Sequence, residues 1–163
     1  MTLTKTFSQP LRITVPLGEH PCEIWIGTGL TENLQNLLDA TGFSQRRFLV
    51  SNATVWKYHG EAIQHVCGDA KVVLIPDGER HKTVQTVSRI YEALIRAEAD
   101  RASSIVAIGG GVVGDTAGFA AATFLRGVTL AHVPTTLLAQ VDSSIGGKVG
   151  VNHKLGKNLI GAF

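Results

Sequence analysis

Cysteine is scarce in this chain: Cys22 and Cys67 are the only two in 163 residues. They stand far apart in ordinary strand-like or helix-like surroundings, which speaks against a disulfide framework or a CxxC metal site. An excess of charge is missing too. Fifteen Lys and Arg face thirteen Asp and Glu, a formal charge of +2. That is far below the basic excess that contacts to a phosphate backbone demand, so nucleic acid is not an expected partner. No uninterrupted apolar run reaches the roughly 18 residues a membrane helix needs. Residues 1–12 carry Lys5 and Arg12 but no apolar core of signal-peptide length. No membrane partner is expected, and the chain reads as cytoplasmic. Internal repeats, low-complexity tracts and linkers are absent. The six histidines, at positions 20, 59, 65, 81, 132 and 153, form no i, i+4 pair and no HExxH. None is therefore read as a metal ligand.

What is present is a balanced globular composition, 44% hydrophobic and 17% charged, which fits one domain over residues 1–163. Apolar runs rich in β-branched residues recur at 11–15, 22–26, 48–51, 71–75, 104–108 and 129–133, and these are the strand candidates. Helical spacing fills residues 55–66, 83–97 and 114–124, and Leu34, Leu37 and Leu38 mark an earlier helix. The alternation predicts an α/β, Rossmann-like fold, a mostly parallel sheet flanked by helices, because a parallel strand needs a long return path. The first two strands can instead pair as an antiparallel edge, joined through residues 16–21. The last residues, Leu159-Ile160-Gly161-Ala162-Phe163, stop inside an apolar stretch and read as a cut.

The strand at 104–108 runs directly into Gly109-Gly110-Gly111-Val112-Val113-Gly114-Asp115 and then a helix of small residues. Glycine lets a ligand approach the backbone, and the free N–H groups at a helix start attract phosphate oxygens. Gly109, Gly111 and Gly114 formally satisfy G-x-G-x-x-G. The usual acidic companion about 20 positions on is missing, since no Asp or Glu occurs between Asp115 and Asp142. The plain alternative is a tight turn that needs glycines, with Asp115 as a helix cap. A Walker-type loop fails on spacing at both Gly147-Lys148 and Gly156-Lys157.

Two further polar segments stand out. Asp77-Gly78-Glu79-Arg80-His81-Lys82 follows one strand, where a turn with a helix cap explains it as well as ribose and phosphate contacts do. Pro134-Thr135-Thr136 follows another, at the strand end where open α/β sheets place ligands, though either threonine could be a plain N-cap. From Val141 to Asn158 the chain reads as a flexible, glycine-interrupted loop able to wrap an anionic, polyhydroxylated ligand. Lys148 and Lys157 offer charge, Asp142 accepts, and Asn158 does both.

Taken in order, Asp77-Gly78-Glu79-x-x-Lys82, residues 109–115, Gly118-Phe119-Ala120-Ala121, Arg126-Gly127, Pro134-Thr135-Thr136-Leu137-Leu138, residues 141–148, Val151-Asn152-His153 and Gly156-Lys157-Asn158 closely resemble the 3-dehydroquinate synthase family. The resemblance reaches only the family's N-terminal, NAD-binding half. It implies conversion of 3-deoxy-D-arabino-heptulosonate 7-phosphate, a sugar phosphate, to 3-dehydroquinate in the shikimate pathway. NAD would be reduced and regenerated within one turnover, the transient ketone acidifying a neighbouring C–H so that phosphate leaves. It further implies a homodimer and a divalent metal, zinc or cobalt, held by residues beyond this chain. No metal ligand is assigned here, and the isolated chain is expected to be inactive. By position, Asp77, Gly78, Glu79, Arg80, His81, Lys82, Gly111, Val112, Val113, Gly114, Asp115, Thr135, Thr136, Lys148 and Lys157 are implied at NAD. Asp142, Lys148 and Asn158 are implied at substrate, and Arg126 at a neighbouring subunit's substrate. His81 departs from the family, which usually has an aromatic residue there. The rival readings are another sugar-phosphate cyclase, a metal-dependent polyol dehydrogenase, or a non-catalytic nucleotide-binding module.

Overall fold

A computed structural model of the chain describes residues 10–16 and 21–163. His20, the first nine residues of the signal-peptide reading and most of the 16–21 connection lie outside the described residues. Strands β1 (Leu11–Val15) and β2 (Cys22–Ile26) pair antiparallel, with Leu11 opposite Ile26 and Val15 opposite Cys22. They form a two-stranded ribbon of their own, so the expected edge of the main sheet is corrected to a separate element.

From there strand and helix alternate as expected: α1 (Leu34–Ala40), β3 (Arg47–Asn52), α2 (Ala53–Cys67), β4 (Lys71–Ile75), α3 (Val84–Arg96), β5 (Ser104–Gly109), α4 (Gly111–Thr123) and β6 (Thr129–Pro134). The four later strands make one parallel sheet in the order β4-β3-β5-β6.

Successive strand residues point to opposite faces, and here both faces are covered. Phe48 and Val50 of β3 and Ile105 and Ala107 of β5 join Val87, Ile90 and Leu94 of α3 and Val113, Ala117 and Ala121 of α4. Their alternates, Leu49, Val106 and Ile108, join Leu34 and Leu38 of α1 and Ile63 and Cys67 of α2. The helices supply these residues at the three- and four-residue spacings that line one side of a helix. Two helix starts are capped in the usual way. Asn52 accepts from Val55 N ahead of α2, and Thr83 accepts from Thr86 N ahead of α3.

The chain leaves β3 toward β4 on one side and returns as β5 on the other, so the strand order reverses between β3 and β5. At such a switch point the helices diverge and leave a crevice at the strands' carboxyl ends. Asn52 and Gly109 stand at those ends.

The segment expected to be a flexible loop is largely ordered as a β-hairpin, β7 (Val149–His153) with β8 (Gly156–Ala162). Its anchor is apolar: Val149 and Val151 are buried, Val149 against α4 at Gly118. Gly150 lies opposite Gly161, where the two backbones approach so closely that a side chain on either would meet a carbonyl oxygen at 2.6 Å. The glycines thus serve strand pairing there. Among the described residues no helix is long and apolar enough to cross a membrane.

Candidate functional site

The helix after the glycine turn starts at Gly111, three residues earlier than its spacing suggests, with Gly110 as N-cap and Gly114 N bonded to Gly110 O at 3.0 Å. The N–H groups of Gly111, Val112 and Val113 therefore lie in the first turn, where no intrahelical acceptor exists. The Val113 side chain faces the core and only its backbone is available. The turn is closely packed from outside. A Cβ on Gly110 would meet Thr136 Cγ2 at 3.1 Å, and one on Gly111 would meet Ser143 Oγ at 3.3 Å. Thr135 N donates to Gly109 O at 3.0 Å, and Thr136 Oγ1 caps the following turn by accepting from Ala139 N at 3.2 Å. Thr135 Oγ1 is buried without a hydrogen-bond partner.

Asp115 is not the cap that its position suggested. It sits in the second turn of α4, and its carboxylate pairs with the ammonium of Lys82, which comes from the loop after β4. Lys82 is buried, and its Nζ also donates to Asn158 Oδ1 at 2.6 Å. Three residues separated by up to 76 positions thus meet at one point.

Around Lys82 the chain makes a 3₁₀ turn, Glu79–His81, entered through Gly78 at φ +97. Arg80 Nε donates to His81 Nε2 at 3.0 Å, so these two exposed or half-buried side chains engage each other. Asp77 accepts from Asn52 Nδ2 at 3.1 Å and from Thr54 Oγ1 at 3.0 Å. Asn52 and Thr54 are polar partners that the sequence reading did not single out, and Asn152, quoted there within the Val151-Asn152-His153 motif, was given no role of its own. Asn52 was findable: it ends a buried strand and begins a helix, the place where a switch point puts ligand contacts.

Other expected residues stay apart from this cluster. Asp142, Lys148 and Lys157 are exposed and make no hydrogen bond within it. Lys148 follows a turn with Gly146 and Gly147 at φ +89 and +73. Arg126 stands past the opposite end of α4, which at 13 residues puts it roughly 20 Å from Gly111. It follows Leu125 in a left-handed conformation and is left-handed itself, at φ 69 after φ 50.

One histidine borders the site. His132 on β6 lies against α4, where its Nδ1 would be 3.2 Å from a Cβ on Gly114. Burial pushes its pKa below the ordinary 6.5, and the nearby Asp115 carboxylate only partly opposes that. A histidine kept neutral in the fold loses protons relative to the unfolded chain, so stability is complete above about pH 6.5 and falls as the pH drops from there toward the folded-state value. His132→Gln should flatten this slope. Unfolding free energies measured at pH 5.5 and 7.5 for both proteins should show a smaller difference in the variant; equal differences would assign the dependence to other groups.

A parallel sheet with a polar cluster at the carboxyl ends of its strands defines the class of this protein as an α/β domain of the Rossmann-like kind. Residues 72–163 match the family described as 3-dehydroquinate synthase N-terminal, and the chain belongs to that family. It is 50% identical to the 3-dehydroquinate synthase of Pelotomaculum thermopropionicum over 93% of this chain and 42% of that protein. It is 51% identical to the one from Halorhodospira halophila over 91% of this chain and 42% of that protein. The chain therefore spans about two fifths of the length of these relatives. A solved 2-deoxy-scyllo-inosose synthase, in complex with carbaglucose-6-phosphate, NAD+ and Co2+, superposes with a TM-score of 0.84 at 31% identity, over 94% of this chain and 43% of that one.

Among the described residues no group of three or more His, Cys, Asp or Glu side chains is placed to hold a metal ion.

Proposed function

We propose that residues 1–163 form an NAD-binding α/β domain, part of an enzyme that converts 3-deoxy-D-arabino-heptulosonate 7-phosphate to 3-dehydroquinate and phosphate. The observation that carries the reading is the buried, unpartnered Thr135 hydroxyl beside the glycine turn. An orphaned buried polar atom is costly, and a ligand oxygen arriving at the turn would satisfy it. The relatives at about half identity and the NAD+ in the 2-deoxy-scyllo-inosose synthase complex support the same cofactor. When bound, NAD supplies a reversible two-electron oxidation of a substrate hydroxyl.

The residues divide the work by their environment. The N–H groups of Gly111, Val112 and Val113, at the positive end of α4, are donors for pyrophosphate. Gly110 and Gly114 keep the backbone open to Thr136 and His132, whose atoms a Cβ would crowd. Asp77, supported by Asn52 and Thr54, is an acceptor suited to ribose hydroxyls, with Gly78, Glu79, Arg80 and His81 forming the adjoining wall. Lys82 is already neutralised by Asp115, so it orients Asn158 and contributes little net charge. The exposed Lys148 and Lys157 are cations free to meet phosphate. Asp142, Lys148 and Asn158 face the substrate, and Arg126, at the other end of α4, serves a neighbouring subunit of a homodimer.

Thr135→Val tests the reading because it separates stability from binding. Removing a buried unpartnered hydroxyl should leave the fold as stable or raise its unfolding free energy by about 1 kcal/mol. The same change should weaken NAD binding several-fold in a calorimetric titration of the chain. Equal NAD affinity for wild type and variant would overturn the placement of the cofactor at the glycine turn. With the whole protein, product analysis on heptulosonate phosphate against glucose 6-phosphate separates the proposed activity from that of another cyclase.

A further inference from the structure

Asn152 on β7 has no part in the assignments above, yet its backbone N–H and both ends of its side-chain amide are engaged across the site. Its backbone N donates to Lys82 O at 2.8 Å, its Nδ2 donates to Glu79 Oε1 at 2.8 Å, and its Oδ1 accepts from Asn158 N at 2.9 Å. A short parallel bridge to Thr83 runs alongside. The carboxylate needs a donor and the N–H needs an acceptor, so the orientation of the amide is fixed by its partners. The short amide side chain offers both.

The residue it holds is unusual. Asn158 has φ +55, a left-handed conformation that asparagine tolerates better than most residues but still at a cost. Its backbone N–H is the group Asn152 accepts, and its side chain is the group Lys82 reaches at 2.6 Å. The Asn152 side chain thereby joins the 79–82 turn to the β7–β8 hairpin, some seventy positions apart in the chain, beside the links that Asn152 N makes to Lys82 O and Lys82 Nζ makes to Asn158.

We propose that Asn152 is a positioning residue: it locks the hairpin to the 79–82 turn so that Asn158 and Lys82 meet in the geometry the site uses. Its effect on ligand binding rests on the NAD reading above; the positioning itself does not.

Amide hydrogen exchange at Asn158, followed by NMR in the 163-residue chain, reads the positioning directly, and NAD titration reads its consequence. Asn152→Ala should speed exchange at Asn158 and weaken NAD binding, each about tenfold, with the exchange of β3 and β5 amides unchanged. Asn152→Asp keeps the acceptor but sets two carboxylates together and should be impaired as well. Combining it with Glu79→Gln reverses the donor and acceptor of that bond, and should restore Asn158 protection to the level of Glu79→Gln alone. A purely space-filling role would show no such rescue. Unchanged exchange at Asn158 in Asn152→Ala, or a double variant no better protected than Asn152→Asp, overturns the proposal. If the wild-type chain binds no NAD, the cofactor reading fails for this chain, and the exchange measurements still decide the role of Asn152.

Discussion

Lys82→Met is expected to lower the unfolding free energy by about 3–5 kcal/mol, the largest loss of any single change at the site. The ammonium side chain is 6% exposed and its partner carboxylate on Asp115 18%. Methionine keeps most of the aliphatic stem, so packing is largely preserved while the carboxylate loses its cation. A charge held out of water without a partner is what makes the loss large; an exposed pair would be worth about 1 kcal/mol or less. Adding Asp115→Asn to Lys82→Met should recover most of the difference, because the second change removes the stranded charge. Urea unfolding of the wild type, both single variants and the double variant gives the coupling directly. A loss below about 1 kcal/mol, or a double variant as unstable as Lys82→Met, would mean that water reaches the pair and that it holds little together.

That pair shows where sequence reasoning stops. Lys82 and Asp115 were both singled out, each from a local pattern, but nothing in either pattern says that they touch. Their separation in sequence is 33 positions, and the contact exists because β4 and β5 are both neighbours of β3. The fold class was more legible. Continuous apolar runs rich in β-branched residues at β3 and β5, where every residue is buried, together with helical spacing in α2 and α3, sufficed for a two-faced parallel sheet, and all six expected strands formed within a residue or two.

The misses have identifiable physical causes. Residues 141–158 looked like a loop because glycine and polar residues dominate, yet Val149 and Val151 alternate across Gly150 and bury themselves against α4. In a hairpin whose strands approach at paired glycines, the residue type that usually signals flexibility signals close contact. The early start of α4 was hidden for a similar reason, since Gly110 and Gly111 have poor helix propensity and are present because Thr136 and Ser143 lie against them. Asn152 was quoted within a motif but its role was hidden, because its value lies wholly in partners from the 79–82 turn and from Asn158. No local pattern carries that information.

Gly118→Ala should be damaging although it adds only one carbon. A Cβ at Gly118 would stand 2.3 Å from Val149 Cγ1, 3.0 Å from Val149 Cβ and 3.3 Å from Leu130 Cδ2. Contacts below 3.0 Å do not occur, so either Val149 turns or α4 and β7 separate. Val149 is β-branched and buried, which leaves its side chain few rotamers to escape into. The expected cost from overpacking is about 1–3 kcal/mol, offset in part by the better helix propensity of alanine, about 1 kcal/mol at most. Because β7 also carries Asn152, displacement of the strand should free the Asn158 amide and weaken ligand binding, although Gly118 itself touches neither. Pairing Gly118→Ala with Val149→Ala removes the colliding methyls and should restore Asn158 protection, while retaining a stability deficit from the lost valine contacts. Thermal unfolding and amide exchange of the two proteins separate these effects. If Gly118→Ala is as stable as wild type and Asn158 remains protected, α4 and β7 are not in the contact that joins the glycine-turn helix to the hairpin.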